Sequence, residues 1–170
     1  MNKNKYDVVI IDTGVSEELS SLVSSGISFT GEDDNIIIQE DYVDKIGHGT
    51  AICDLFTRND NNLKIFMIKI FDELTTTYER LCNALEYINK NIECDLIHIS
   101  LGITLNDDYS RLRNVISNLN ERKITIVAAF DNDGSISYPS GFTEVIGVSL
   151  SDFPYHNSGY FVVEGNIIDV

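Results

Sequence analysis

Residues 8–15 read VVIIDTGV: four consecutive β-branched residues, an aspartate, and a Thr–Gly pair before another valine. A continuous run of branched apolar side chains, with no polar alternation, is typical of a strand buried on both faces of a parallel sheet. Asp12 follows the run directly and therefore lies where the strand ends. The stretch predicts a sheet of parallel strands with a carboxylate at the carboxyl end of one of them.

Segments of the same kind return along the 170-residue chain. Further strands are predicted over residues 36–38, 64–71, 95–100, 124–130, 144–150 and 167–170. Apolar residues at helical spacing predict helices over 78–88 and 109–119, after start signals at 75–77 and 106–108, and a shorter helix over 51–56. Strands that alternate with amphipathic helices predict an α/β fold, a three-layer, doubly wound parallel sheet with helices on both faces. The length fits a single domain over residues 1–170.

The amino-acid composition argues against a nucleic-acid-binding protein and against a membrane protein. The net charge is −15 with only 12 Lys and Arg, which argues against a protein that binds nucleic acid through its phosphates. The apolar run of residues 8–11 is too short for a signal peptide or a membrane span, so we expect a cytoplasmic protein without membrane contact. Cys53, Cys82 and Cys94 form no CxxC pair and are predicted to be reduced thiols.

The chain offers no spacing that indicates a metal site. Residues 58–62 (RNDNN) carry acidic and amide oxygens, but their spacing is that of a solvated turn rather than a ligand set. No glycine-rich phosphate loop is present, so neither a metal nor a cofactor is expected.

Polar residues follow several of the predicted strands. Asp12 ends the first strand, and His48 stands in GHGT, residues 47–50, where its two flanking glycines allow close approach of other groups. Residues 100–102 (SLG) and Asn132 in a DNDG turn follow two later strands. Carboxyl ends of parallel strands meet at one edge of a sheet, so we expect these groups to converge. A carboxylate that orients an imidazole and an amide that donates to an oxyanion are parts of an acyl-transfer site.

Four blocks of the chain, in order, resemble those of the subtilisin-like serine proteases, the subtilases. IIDTGV (10–15) resembles the block around the catalytic aspartate of that family, and GHGTAICDL (47–55) the block around its catalytic histidine. IHISLGI (97–103) is similar to the strand whose Ser-Leu-Gly forms one wall of the primary specificity pocket. IVAAFDNDGSISYPSGFTEVIGVSL (126–150) is similar to the family's segment around the oxyanion-hole asparagine. The resemblance covers about residues 6–170.

The resemblance implies a serine endopeptidase that hydrolyses peptide bonds in a peptide or protein substrate. It implies that Asp12 orients the base, that His48 is the general base and acid, and that Asn132 donates to the oxyanion. Residues Ser100, Leu101 and Gly102 are implied as the substrate-binding segment that pairs with the substrate backbone.

The serine block of the family has no counterpart in this chain. The resemblance implies a Gly-Thr-Ser block that opens a helix after the last strand, whereas residues 156–160 (HNSGY) offer Ser158 with neither feature. We therefore expect a C-terminally truncated domain whose serine lies on a missing segment, and an isolated chain without peptidase turnover. Phe130 and Asp131 stand where the family has small residues before Asn132, and a carboxylate there opposes a developing oxyanion.

Three functions stay open at this point. The first is a subtilisin-like protease completed by a further segment. The second is a short, catalytically inactive subtilase-like protein that binds peptides or a partner through strand edges left bare. The third is an unrelated doubly wound domain that binds phosphate or nucleotide, which the lack of GxGxxG or Gly-Lys-Ser/Thr disfavours.

Each candidate residue also has a structural interpretation. Asp12 is compatible with a turn residue that ends a strand, His48 with a helix cap, and Asn132 with a plain turn former. His98 alternates with isoleucines inside a predicted strand and is expected to be buried or half-buried, whereas His156 is expected in an exposed loop.

Overall fold

The computed structural model of the chain describes residues 5–31, 35–60, 62–104, 108–132, 135–149, 161–162 and 167–169. The chain forms two compact units, Met1–His98 and Ile99–Val170, and its organisation as a single domain stays a prediction. The strands are β1 (Tyr6–Asp12), β2 (Ser25–Thr30), β3 (Ile37–Gln39), β4 (Leu63–Lys69), β5 (Leu96–Ile99), β6 (Thr125–Ala129), β7 (Ile146–Ser149), β8 (Phe161–Val162) and β9 (Ile167–Asp169). The helices are α1 (His48–Asn59), α2 (Tyr78–Asn91) and α3 (Ser110–Glu121), with a short 3-10 helix over Glu17–Leu22. None of the helices in these described ranges has the length and apolar character needed to cross a bilayer.

The sheet of the first unit is mostly parallel and has β1 in its interior. Its strands follow the order β3-β2-β4-β1-β5, and β1 pairs in parallel with β4 from Tyr6 opposite Leu63 to Asp12 opposite Lys69. β2 is parallel to β4 on its other side, while β3 is antiparallel to β2 at the edge. This arrangement confirms the predicted α/β class.

Both faces of this sheet are covered by helices. Val8 of β1 belongs to a buried cluster that includes Cys53 of α1. Ile11 is fully buried on the opposite face, because successive side chains of a strand alternate. The register puts Phe29 of β2 on that same face, where its ring meets the ring of Tyr87 of α2 edge-on at 5.9 Å. The continuous apolar run at 8–11 is therefore explained by burial on both sides.

The second unit contains parallel strands and one amphipathic helix. β6 pairs in parallel with β7, β7 with β9, and β8 is antiparallel to β9. α3 buries one stripe at helical spacing, made of Leu112, Val115, Ile116 and Leu119. Asp133, His156 and Ser158 lie outside the described part of the chain, so the exposed position expected for His156 stays a prediction.

Helix starts follow local capping signals. The side chain of Thr77 accepts the backbone N–H of Arg80 at 3.2 Å and begins α2, as its position predicts. α3 begins at Ser110, whose backbone N–H donates to Asp108, while residues 106–107 lie outside the described part. α1 differs from the prediction, because it begins at His48 itself rather than after it.

The strand β2 was not predicted from the sequence. Its sequence SGISFT mixes small polar and apolar residues, which weakens the periodic signal. Gly26 is the reason for the close fit of this strand, since a Cβ there would lie 2.7 Å from the carbonyl oxygen of Met67 and 2.8 Å from the ring of Tyr42.

We predict that Gly26→Ala destabilises the protein by about 1–3 kcal/mol, because the added methyl group overpacks a contact with rigid backbone. Chemical unfolding followed by circular dichroism measures the change. Ser25→Ala is the matched control, because Ser25 is exposed and its change is expected to stay within about 0.5 kcal/mol. Equal stabilities of the two variants would contradict the tight packing of β2 against β4.

Candidate active site

Asp12 and His48 are in direct contact in the first unit. His48 Nδ1 lies 2.9 Å from Asp12 Oδ1 and 3.0 Å from Oδ2. The Asp12 side chain is fully buried, whereas the His48 side chain is 55% exposed. A carboxylate only accepts hydrogen bonds, so the proton of a neutral His48 is on Nδ1 and the lone pair of Nε2 is free. The ring therefore offers a base, and the alternative of His48 as a simple helix cap does not describe this contact.

The turn after β1 fixes the Asp12 carboxylate. The backbone N–H of Thr13 donates to Asp12 Oδ1 at 2.6 Å, and the Thr13 hydroxyl accepts the backbone N–H of Gly49 at 2.8 Å. A Cβ at position 49 would overlap the carbonyl oxygen of Gly14 and lie 3.1 Å from Asp12 Oδ1. The glycine after His48 is therefore required by the packing of α1 against this turn.

The glycine before His48 is required for a different reason. Gly47 has a φ of 99°, a left-handed conformation that L-residues with side chains rarely adopt. A Cβ there would meet nothing within 4 Å. Backbone conformation, rather than space, thus accounts for Gly47.

The carboxylate of Asp44 binds the first turn of α1 on both sides of His48. Its Oδ1 accepts the backbone N–H groups of Ile46 and Gly47 at 2.8 and 2.9 Å. Its Oδ2 accepts the backbone N–H and the hydroxyl of Thr50 at 3.0 and 2.6 Å. Burial acts to raise the pKa of Asp44, but these hydrogen bonds outweigh it and hold the pKa below its ordinary value of 3.8. Asp44 is therefore a stable anion at the helix start.

Cys53 lies beneath this site and is a protonated thiol. It is fully buried on α1, and burial raises its pKa to about 12, with further contributions from the charges of Asp12 and Asp44. No disulfide bond joins Cys53, Cys82 or Cys94 in the described part of the chain.

His98 is half-buried in β5, as its place in an alternating strand predicts. Its ring meets Phe56 edge-on with the centroids 5.4 Å apart. Burial lowers the pKa of His98, the Asp12 carboxylate opposes that shift, and His48 adds to it. His98 therefore packs as a neutral side chain.

A cleft of about 630 Å³ opens beside Thr13, the neighbour of Asp12. Two of its charged side chains are held by partners. Lys69 Nζ donates to the carbonyl oxygen of Val43 at 2.6 Å, and Asp72 forms an ion pair with buried Arg80 at 2.6 Å. The lining is Thr13, Lys45, Ile46, Lys69, Phe71, Asp72, Glu73 and Leu74. The cleft has the volume of a ligand pocket and mixed apolar and charged walls.

In the second unit, residues 100–102 directly follow β5. Leu101 is buried, and a Cβ at Gly102 would overlap the hydroxyl of Ser137, so only glycine fits there. Ser100 Oγ is buried and has no hydrogen-bond partner within the described part of the chain. Their role in binding substrate stays a prediction.

Asn132 is exposed in a turn of the second unit. Its backbone N–H donates to Asp131 Oδ1 at 2.7 Å, and the backbone N–H of Asp131 donates to buried Ser137 at 2.9 Å. The Asp131 carboxylate is thus turned to the backbone of its own loop. Phe130 packs against Gly147, where a Cβ would come within 2.5 Å of its ring. The roles of Asn132 as an oxyanion donor and as a plain turn former both stay predictions.

The structure brings together two of the predicted site residues, Asp12 and His48, whose catalytic roles stay predictions. Sequence reasoning missed three residues that hold the predicted ones, namely Asp44, Thr50 and Ser137. An acidic residue shortly before a helix start is a capping signal, so Asp44 had a local signature. Ser137 had none, because its contacts with residues 102 and 131 arise only on folding.

Within the described ranges, no group of three or more His, Cys, Asp or Glu side chains is arranged to hold a metal ion. Asp60 directly follows α1 as its C-cap, and its side chain accepts the backbone N–H of Asn62 at 2.7 Å. That hydrogen bond is typical of a turn. The prediction of a turn over residues 58–62 is wrong for residues 58–59, which belong to the last turn of α1, and Asn61 lies outside the described part.

Comparison with known proteins places these features in a family. A model of the subtilase family matches residues 3–161, and no curated protein matches the chain. The chain is similar in structure to the nisin leader peptidase NisP from Lactococcus lactis, with a TM-score of 0.67 and 24% identity over 88% of this chain and 57% of that one. It is also similar to the epidermin leader peptide processing serine protease EpiP from Staphylococcus aureus, with a TM-score of 0.67 and 21% identity over 86% and 46%. The chain thus spans about half the length of these two structures, and at such identities the likeness concerns the fold.

We predict that stability falls as the pH drops below 6.5, in part through His98. Its pKa is lower in the folded than in the unfolded protein, so the unfolded state binds more protons between the two values and gains stability as the pH falls through them. Replacement with neutral glutamine, His98→Gln, is expected to reduce this loss. Urea unfolding at about pH 7.5 and about pH 5.5 measures it, and an equal loss in both proteins would contradict the half-buried, neutral state of His98.

Proposed function

The chain belongs to the subtilase family, and we propose that it carries the Asp–His part of a serine endopeptidase site. The single observation that carries the proposal is the contact of His48 Nδ1 with both oxygens of fully buried Asp12. This contact fixes the tautomer in which Nε2 is the free base. The family match over residues 3–161 supports the same assignment.

In the proposed mechanism His48 moves the proton. A serine hydroxyl is a weak nucleophile until a neighbouring imidazole accepts its proton as it attacks the scissile carbonyl carbon. His48 Nε2 accepts that proton and gives it to the leaving amine as the C–N bond breaks, so the acyl group stays on the serine. In the second half of the reaction Nε2 takes a proton from the attacking water and returns it to the serine oxygen, which releases the carboxylic acid product. Asp12 stabilises the imidazolium that forms between these steps. We propose that the Asn132 amide donates to the oxyanion, a contact worth about 3 kcal/mol in the transition state.

The proposed substrate is a peptide or protein. Extended substrate backbone would pair with residues 100–102. NisP and EpiP act on leader peptides, which supports a peptide substrate for this chain as well. The sequence holds no counterpart of the Gly-Thr-Ser block, so we propose that the serine comes from a segment beyond these 170 residues.

The lack of a Gly-Thr-Ser block in these 170 residues also favours a second function, the binding of peptides without catalysis. A catalytically inactive subtilase-like protein would keep the peptide-binding segment without the nucleophile. The Asp12–His48 contact favours the protease, since a binding protein has no need for an imidazole held in one tautomer.

The proposal is tested on the endogenous protein, beginning with its intact mass. A mass well above 19.1 kDa is the expected result, and the longer protein should hydrolyse casein and react with a fluorophosphonate probe for active serines. His48→Ala should then reduce kcat by roughly 10⁶-fold and Asp12→Asn by roughly 10⁴-fold, with little change in KM.

Asp54→Asn on the same helix is the matched control and should leave kcat unchanged, because among the described residues the Asp54 side chain pairs with exposed Arg58 alone. The isolated 170-residue chain should show no turnover. A mass of 19.1 kDa, or a longer protein whose hydrolysis survives His48→Ala, would contradict the proposal, and the former would favour the peptide-binding alternative.

A further inference from the structure

The segment that carries His48 is held by one buried carboxylate. His48 is the first residue of α1, and Asp44 accepts four hydrogen bonds from Ile46, Gly47 and Thr50. Two of the donors, the N–H groups of Ile46 and Gly47, precede His48 in the chain, and the two groups of Thr50 follow it. The backbone on both sides of His48 is therefore fixed to the same side chain.

Asp44 takes the place of an ordinary N-cap. The N-cap residue of α1 is Gly47, which has no side chain to accept the free N–H groups of the first turn. The anion of Asp44 lies at the positive end of the helix, where a negative charge is favourable. Of the other first-turn groups, the N–H of Gly49 donates to Thr13.

The same carboxylate connects the His48 segment to the Asp12 segment. The Thr50 hydroxyl donates to Asp44 and accepts the backbone N–H of Ser16 at 2.9 Å. The backbone N–H of Asp44 donates to the carbonyl oxygen of Val15 at 3.0 Å. Asp44 is thus bonded, directly and through Thr50, to the chain that continues from Asp12.

The His48 ring has little else to orient it. More than half of its side chain is exposed, and its hydrogen bonds in the described part of the chain are those to Asp12. A rotation of the first turn of α1 would carry Nδ1 away from the carboxylate, because the ring is attached to that turn. The direction of the ring consequently depends on the backbone that Asp44 holds.

We propose that Asp44 is a positioning residue of this site, which fixes the first turn of α1 so that His48 Nδ1 faces Asp12. The inference rests on the proposed function only in its use of the Asp12–His48 pair. Asparagine at position 44 has one acceptor oxygen in place of two, so it cannot bind both sides of His48. The pair would then exchange between bonded and free states.

The tautomer of His48 tests this proposal without any activity. Long-range 1H–15N spectra at about pH 8, where free imidazole is neutral, report whether Nδ1 or Nε2 carries the proton. The wild-type chain should show the Nδ1–H tautomer alone. The Asp44→Asn chain should show a mixture of the Nδ1–H and Nε2–H tautomers, while the dispersion of its methyl resonances remains that of a folded protein. Asp41→Asn is the matched control, because Asp41 is exposed and its side chain accepts the backbone N–H of Val43, away from His48. A folded Asp44→Asn chain with the wild-type tautomer overturns the proposal.

If Asp44→Asn does not fold, two variants of Thr50 test the positioning role of Asp44 instead. Thr50→Val removes the hydroxyl that links Asp44 to Ser16, and Thr50→Ser keeps it. Thr50→Val is expected to lose part of the Nδ1–H signal and Thr50→Ser to retain it, whereas identical wild-type spectra overturn the proposal. A wild-type chain without the Nδ1–H form would instead contradict the Asp12–His48 pair and with it the proposed function.

Discussion

The buried carboxylate of Asp12 is the constraint on which the rest of the structure depends. A charge removed from water is unfavourable unless hydrogen bonds replace its hydration. Asp12 is fully buried at the end of β1 and receives them from Thr13 and from the His48 ring. The end of β1, the turn after it and the start of α1 must therefore stay in one geometry. The parallel register with β4 keeps that point at the carboxyl edge of the sheet.

The start of α1 shows that fold and site share the same hydrogen bonds. A helix begins with free N–H groups that need acceptors. Here Gly49 donates to Thr13 and Thr50 donates to Asp44, so the bonds that begin the helix are also those that hold His48. The close approach of the two segments leaves no room for a side chain at Gly49, because a Cβ there would overlap the carbonyl oxygen of Gly14. A change that loosens the helix start is consequently a change in the site.

Two side chains with reactive chemistry lie near one another on α1, and their surroundings give them opposite properties. Cys53 is buried, and burial together with the charges of Asp12 and Asp44 raises its pKa to about 12. A thiol held so firmly in its protonated form is a poor nucleophile. The His48 side chain, by contrast, is 55% exposed, and its Nδ1 is bonded to Asp12, which leaves the lone pair of Nε2 free. The Cys53 thiol is thus unsuited to act as a nucleophile, whereas the His48 imidazole keeps a lone pair that can accept a proton.

The sequence by itself determined the alternation of buried strands and amphipathic helices, the position of Asp12 at a strand end, and the cap of α2 at Thr77. Each of these is a local property, because side-chain periodicity and capping involve residues close in the chain. Only the tertiary structure decided the strand β2, whose glycine fits between β4 and Tyr42, and the bonds by which Asp44 and Thr50 reach Val15 and Ser16. These depend on groups distant in the chain that meet only after the sheet has formed. The physical reason is that packing space and hydrogen-bond partners are set by which segments become neighbours, and no local pattern records that.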